Sequence, residues 1–367
     1  HVNPYTGRSY AWEPALAWLS LVNEGNVGNY YDIVRTDPVW AARWRDWVLK
    51  GRADDPARYG DVSEALPKTL RADDAPATEF KRFVADLERR FFLRMRALVR
   101  DELGCEALLS NWNGWTYFAT DQITRAEYDY VDDHAYVDHP VFLGKSWSPP
   151  VKFQNGNVNP IRTDGSGMPW VAGNRLLDRP FTLSEHNFGA PLRHRAAFGL
   201  VSGTAAALED WGGIWRFAYA HNREDAVTDV PAPIRFFDLS RDPAHRLADR
   251  AAICLFRRGD LAPIPPERTL AIEIDPQAVA SARTNIPGAA WGNVWAAWQA
   301  RVGCVLAGGP EAPSRMLHYP DAYRLSAAEL GPASGGLIVG GGVPERYAPP
   351  DGRYRAATAP PAHATRL

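Results

Sequence analysis

Cysteine is scarce in this chain. Cys105, Cys254 and Cys304 are the only three in 367 residues, and no pair stands at C-x-x-C spacing. That distribution fits neither a disulfide framework nor a zinc site, and Cys105 and Cys254, set in apolar segments, read as buried thiols. A surplus of one charge is missing as well. Lys plus Arg number 41 against 43 Asp plus Glu, a formal charge of -2. No global field therefore draws the chain to nucleic acid or to an anionic membrane, and a neutral partner is expected. No apolar run approaches a membrane span, and no secretory leader is recognisable. The chain opens on His1 rather than Met and reads as part of something longer. Secreted or periplasmic placement is compatible with this reading.

What is abundant is aromatic surface, with 14 Trp, 14 Tyr and 14 Phe. Aromatic faces stack on the apolar patches of flat ligands, although most such side chains fill core. The length suits one large α/β domain plus a smaller region. Residues 15–24 (Ala-Leu-Ala-Trp-Leu-Ser-Leu-Val-Asn-Glu) form a short apolar run that stops on Asn23 and Glu24. Buried strands of parallel sheets read as near-continuous hydrophobic runs, and in α/β barrels the chemistry sits where such strands end. The same grammar returns in Phe181-Thr182-Leu183-Ser184-Glu185, a second strand-like segment that delivers a glutamate.

Between and beyond these two stretches, helix and strand patterns alternate. Asp37-Pro38 starts a helix carrying Trp40, Trp44, Trp47 and Val48, closed by Gly51. Residues 52–75 form a polar excursion. A long amphipathic helix follows over 76–103, with Phe80, Phe83, Val84, Leu87, Phe91, Met95, Leu98 and Val99 inward and its Arg and Glu residues solvated. Strands are expected over 105–112, ending in Asn111, Trp112 and Asn113, and over 128–136, ending in Asp132, Asp133, His134 and Tyr136. The Gly-, Asn- and Pro-rich segment 141–179, with Trp147 and Trp170, is long enough to be a lid. Helices over 192–208 and 243–256 flank a strand over 212–221. The βαβα order to residue 262 argues for parallel strands with helical crossovers, followed over 263–367 by a β-rich appendage with a Pro/Ala-rich tail.

An Asn-Glu pair alone means little, because chance supplies about one in a chain of this length. Placement gives it weight, since burying an unpaired carboxylate at a strand end is costly. Two carboxylates across a cleft suit glycosidic bond cleavage, one protonated to donate to the leaving oxygen and one ionised to attack the anomeric carbon.

On these residues the chain resembles clan A of the retaining glycoside hydrolases, β/α barrels whose acid/base ends the fourth strand and whose nucleophile ends the seventh. Asn23-Glu24 resembles the fourth-strand pair, Glu185 the nucleophile, and His134-Ala135-Tyr136 the H-x-Y element of strand six. Gly213 to Tyr219 is similar to strand eight, with Tyr219 as the aromatic under the sugar. The resemblance implies a partial (β/α)8 TIM-type barrel, strands four to eight, within residues 1–262. It also implies double displacement by Glu24 and Glu185 on an oligo- or polysaccharide, with Asn23, Asn111, Trp112, His134, Tyr136 and Tyr219 binding the sugar. No metal or organic cofactor is required. The first three strands are absent from this sequence, so a longer chain or another chain would supply them. Two other readings stand beside hydrolysis: a non-catalytic carbohydrate-binding or scaffold protein on a degenerate barrel, and transglycosylation through the same intermediate.

Overall fold

A computed structural model describes residues 1–72, 74–114, 118–146, 152–160, 169–227, 237–283, 296–298, 300–308 and 315–318. In chain order its strands are β1 Trp18–Ser20, β2 Leu108–Ser110, β3 Val131–Val137, β4 Val141–Phe142, β5 Phe153–Gln154, β6 Phe181–Phe188, β7 Gly213–Arg216, β8 Thr269–Ile274, β9 Arg301–Leu306 and β10 Arg315–His318. Its helices are α1 Tyr31–Val34, α2 Pro38–Asp54, α3 Pro56–Tyr59, α4 Ala75–Ala97, α5 Ala119–Arg125, α6 Pro169–Ala172, α7 Phe198–Leu208, α8 Arg223–Val227, α9 Pro243–Ala252 and α10 Pro276–Ser281.

One local device starts five of these helices. Asp37, Asp55, Asp74, Asp242 and Asp275 each sit at the N-cap and accept a free first-turn amide, with Pro at the first or second helical position. Proline lacks the N–H that would be unpaired there, and the carboxylate faces the positive helix end.

The class is mixed α/β with several parallel sheets. β1 pairs with β2 in parallel, Trp18 opposite Leu108. β3, β6 and β7 form a second parallel sheet in that order. Asp129 links the two, its N–H donating to the Leu109 carbonyl at 2.9 Å while its carboxylate accepts the Leu109 amide at 2.9 Å. A third parallel sheet runs β10, β8, β9, with α10 between β8 and β9 in the chain. The region after residue 262 is thus parallel α/β as well, and it shares a core with the rest. Leu270, Ile272, Ile274, Val302 and Cys304 pack in one apolar cluster with Val131, Phe181, Leu183 and Ala205. Residues 319–367, with the expected tail, lie outside the described residues, as does Trp147 in the expected lid. Among the described residues no helix is long and apolar enough to cross a membrane.

Three expectations need correction. The apolar run 15–22 is not a buried strand. Its ladder spans only Trp18–Ser20, and Trp18 is 46% exposed. β1 has a single paired neighbour among the described residues, and of the run only Leu16, Leu19 and Leu21 rest on the cluster of Phe92, Leu109 and Trp112. On α4 the inward face drifts from Phe91, which is exposed, to Phe92, which is fully buried against Tyr128. Nor are all its charges solvated. Glu79 is buried between Arg58 and Arg82, and Glu88 is buried with its carboxylate accepting the Val27 amide at 2.6 Å. Finally, Cys105 is buried as expected, but Cys254, in the turn that extends α9, is only half-buried.

Candidate active site

The sequence places Glu24 just past β1, and three contacts fix the backbone there. The Asn113 side-chain oxygen accepts the Glu24 amide at 2.7 Å, the Asn29 side chain donates to the Glu24 carbonyl at 2.9 Å, and Glu88 holds the next turn at Val27. Glu24 adopts φ +47°, the left-handed region that residues other than glycine seldom enter. Tight anchoring on both sides of the peptide is what keeps it there.

β3 and β6 bring the other half. Their register runs Asp133 opposite Leu183 and then His134 opposite Glu185, so Ser184 is an extra residue in β6. β7 shows the same count, with Leu183 opposite Ile214 and His186 opposite Arg216. Side chains of a regular strand alternate between faces, so Ser184 and Glu185 would point opposite ways. The bulge lets both reach the His134 ring. Nε2 of His134 lies 3.0 Å from Ser184 Oγ, and Nδ1 lies 2.6 Å from Glu24 Oε1 and 3.4 Å from Glu185 Oε2. Tyr136, two residues along β3 on the same face, donates its hydroxyl to Glu185 Oε2 at 2.8 Å.

Two glutamates far apart in the chain thus meet at one imidazole. The ring is buried, with 4% of the side chain exposed, while Glu24 is 36% and Glu185 18% exposed, so the carboxylates face accessible space. The hydrogen bond from His134 holds the Glu24 carboxyl below the usual range, outweighing the opposite push of partial burial. Burial alone would lower His134, but the bond to Glu24 and the charges of Glu185 and Glu24 prevail and raise it. The pair therefore holds one proton across a wide pH range, residing mainly on the imidazole. Burial pushes the Tyr136 phenol up, and the charge of Glu185 adds to it, so Tyr136 stays a donor.

One oxygen from each glutamate and one His134 nitrogen lie within 4.8 Å of one another. Two carboxylates and an imidazole are ligand types that a divalent cation takes, and an ion bound there would displace the proton that Nδ1 shares with Glu24.

Of the residues expected to bind substrate, His134 and Tyr136 are in contact with the glutamates, and Asn23 touches them indirectly, accepting from Asn113 Nδ2 at 3.1 Å. Asn111 and Trp112 are buried, Trp112 in the apolar cluster with Phe92 and Leu109. The residue of that segment that reaches Glu24 is Asn113. Tyr219 is 55% exposed in the turn after β7, which ends at Arg216 rather than near residue 221. The rings tied to Tyr136 are instead Phe217, Phe237 and His139, with centroids at 6.1, 4.9 and 5.7 Å. Ser184, Asp132, Asn113, Phe217 and Phe237 were not among the expected site residues, although Asp132 stands in the polar end expected of its strand. Asn113 had a signal, since it closes the polar end of the second strand.

No protein-family model matches the chain, and no curated protein or solved structure matches it.

Proposed function

We propose that this chain is the catalytic part of a retaining glycoside hydrolase that cleaves O-glycosidic bonds of an oligo- or polysaccharide. The observation that carries this reading is the convergence of Glu24 and Glu185, with oxygens within 4.8 Å, on Nδ1 of one imidazole. Inverting enzymes separate their carboxyl groups by about 6.5–9.5 Å to admit a water, whereas retaining enzymes bring them to about 5–5.5 Å. The close approach supports the second geometry.

In this mechanism Glu185 attacks the anomeric carbon, with Tyr136 orienting the attacking carboxylate. The C–O bond to the leaving group breaks as its oxygen takes a proton from Glu24. The free pair keeps that proton on His134, so the proton passes from Nδ1 to the Glu24 carboxyl as the leaving oxygen arrives. In the second half, water adds to the anomeric carbon, its proton returns to Glu24 and His134, and Glu185 is released. The route needs no cofactor. Half-buried Phe217 beside Tyr136 offers a ring face to the sugar, while Phe237 is buried and backs the Tyr136 ring.

The scaffold we propose is a partial β/α barrel with β1, β2, β3, β6 and β7 as its fourth to eighth strands. Supporting it is the succession of parallel neighbours, bridged at Asp129 between β2 and β3. β1 and β7 would be the strands that meet the remaining three, whether supplied by a longer chain or by another. Their Trp18 and Trp215 stack edge to face at 5.4 Å and are 46% and 38% exposed.

The test is a panel of aryl glycosides and polysaccharides, followed by trapping with 2-deoxy-2-fluoro glycosides and peptide mapping. The expected result is a stoichiometric glycosyl adduct on Glu185 and a product of retained anomeric configuration. An inverted product, or neither turnover nor adduct across the panel, would sink the reading.

A further inference from the structure

Behind His134, on the side away from Glu24, stands a hydrogen-bonded pair that the mechanism above does not use. Asp132 is 1% exposed. Its Oδ1 accepts from Thr182 Oγ1 at 2.7 Å and from the Ser184 amide at 3.0 Å, and its Oδ2 accepts from the Ser184 hydroxyl. With three donors aimed at it, the carboxylate acts only as an acceptor. A serine hydroxyl has a single proton. Once that proton is given to Asp132, the Ser184 oxygen facing His134 Nε2 at 3.0 Å offers only lone pairs.

We propose that Asp132 and Ser184 form a positioning pair that keeps a proton on His134 Nε2, so that the proton exchanged with Glu24 is always the one on Nδ1. The proposal rests on the hydrolase reading for its purpose but not for its geometry. A neutral imidazole beside an ionised Glu24 would otherwise keep its remaining proton on Nδ1, bonded to that carboxylate. In that form Nε2 would turn a lone pair toward the lone pairs of Ser184. Ser184 thereby penalises the neutral tautomer that keeps its only proton on Nδ1 against Glu24, and favours the one whose bare Nδ1 can take a proton back from Glu24. When the leaving oxygen draws on Glu24, the Nδ1–H bond breaks and an O–H bond forms on Glu24. The imidazole is left neutral with Nε2–H still donated to Ser184. The groups facing the ring are Glu24 from the turn after β1, Glu185 and Ser184 from β6, and Asp132 from its own strand. The bulge makes the arrangement reachable, because without it Ser184 and Glu185 could not both touch one ring.

The test follows the two ring nitrogens of His134 by long-range proton–nitrogen correlation in the full chain labelled with 15N-histidine, with His134→Gln to assign the signals. In the wild type, raising the pH should strip Nδ1 while Nε2 keeps its proton. In Ser184→Ala the neutral ring should carry its proton on Nδ1, and Ser184→Thr, which retains the hydroxyl, should restore Nε2–H. Asp132→Asn frees the Ser184 proton to point at Nε2 and should give the Ser184→Ala result. In parallel, the alkaline limb of kcat/KM should fall in Ser184→Ala by about one pH unit, the ordinary spread among protein histidines, and recover in Ser184→Thr. A wild-type ring whose neutral form holds its proton on Nδ1, or a tautomer unmoved by Ser184→Ala, overturns the proposal. Wild-type protein that cleaves no glycoside yet shows the expected tautomers would remove the hydrolase reading and leave the positioning pair standing.

Discussion

Of the clusters among the described residues that join carboxylate to base, those at Glu209 and at His134 are built to opposite ends. At Glu209 the carboxylate is fully buried, accepts the Val302 amide at 3.0 and 3.2 Å, and lies 3.0 Å from Arg175 Nη2, while Arg175 Nε donates to the Val302 carbonyl at 2.8 Å. This cluster fastens α7 to β9. At Glu24 and Glu185 the shared base is an imidazole whose Nδ1 lies 2.6 and 3.4 Å from their oxygens, and the carboxylates remain partly exposed. The closed pair spends its bonding capacity on the fold. The open trio keeps some in reserve for a visitor.

Substitutions should separate the two. Glu185→Ala is expected to lower kcat on an aryl glycoside by about 10⁴-fold or more, with unfolding free energy moved by only about 1 kcal/mol, the ordinary size for a point substitution. A large stability loss would mean that Glu185 belongs to the first type of cluster. In kcat/KM, which reports the first half-reaction, Glu24→Gln should cost about 10²–10⁴-fold on a disaccharide and much less on a dinitrophenyl glycoside, whose leaving oxygen needs no proton. Equal losses on both substrates would remove Glu24 from the acid role.

For the closed pair, Glu209→Ala should destabilise the chain by about 3–5 kcal/mol in urea unfolding, because Arg175 is left buried and unpaired. Activity per folded molecule should be kept. Its pH behaviour has a definite sign. Burial raises Glu209 to about 7, against the lowering influence of Arg175. The folded state thus holds a proton there that the unfolded state releases earlier, so this contribution is present below pH 4.5 and lost as pH rises toward 7. Urea unfolding across that window should show wild type losing stability relative to Glu209→Gln. The smallest effect is at Tyr136. Its hydroxyl bonds a charged group, a contact worth about 1.5–3 kcal/mol, so Tyr136→Phe should reduce kcat about 10- to 100-fold. An unchanged kcat would show that Glu185 needs no such partner.

The parts of the site legible in the sequence are those that a strand end announces. Glu24 and Glu185 stop apolar runs, and His134 and Tyr136 share one face by the two-residue period of a strand. Asn113 was harder, since Asn111, Trp112 and Asn113 are adjacent and only the register decides which turns toward Glu24. Ser184 was not legible at all. Strict alternation puts it on the face opposite Glu185, and a bulge leaves no mark in composition. The same limit applied to β1, where an apolar run looked buried because sequence cannot say how many neighbours a strand has. The Asp37-Pro38 helix start, by contrast, was legible, since cap and ring act within one turn, whereas the same device at Asp55 and Asp275 opens helices of only four and six residues inside stretches where no helix was expected.

The extra residue in β6 also has a genetic consequence. A gene that lost the single codon for a residue such as Thr182 would still encode Glu24, His134, Ser184 and Glu185. Yet everything upstream in that strand would shift one place against β3 and β7. Length is therefore a heritable trait of this site in its own right. A comparison of variant chains that counts only matching letters would score such a deletion as nearly silent, although the letters would no longer meet.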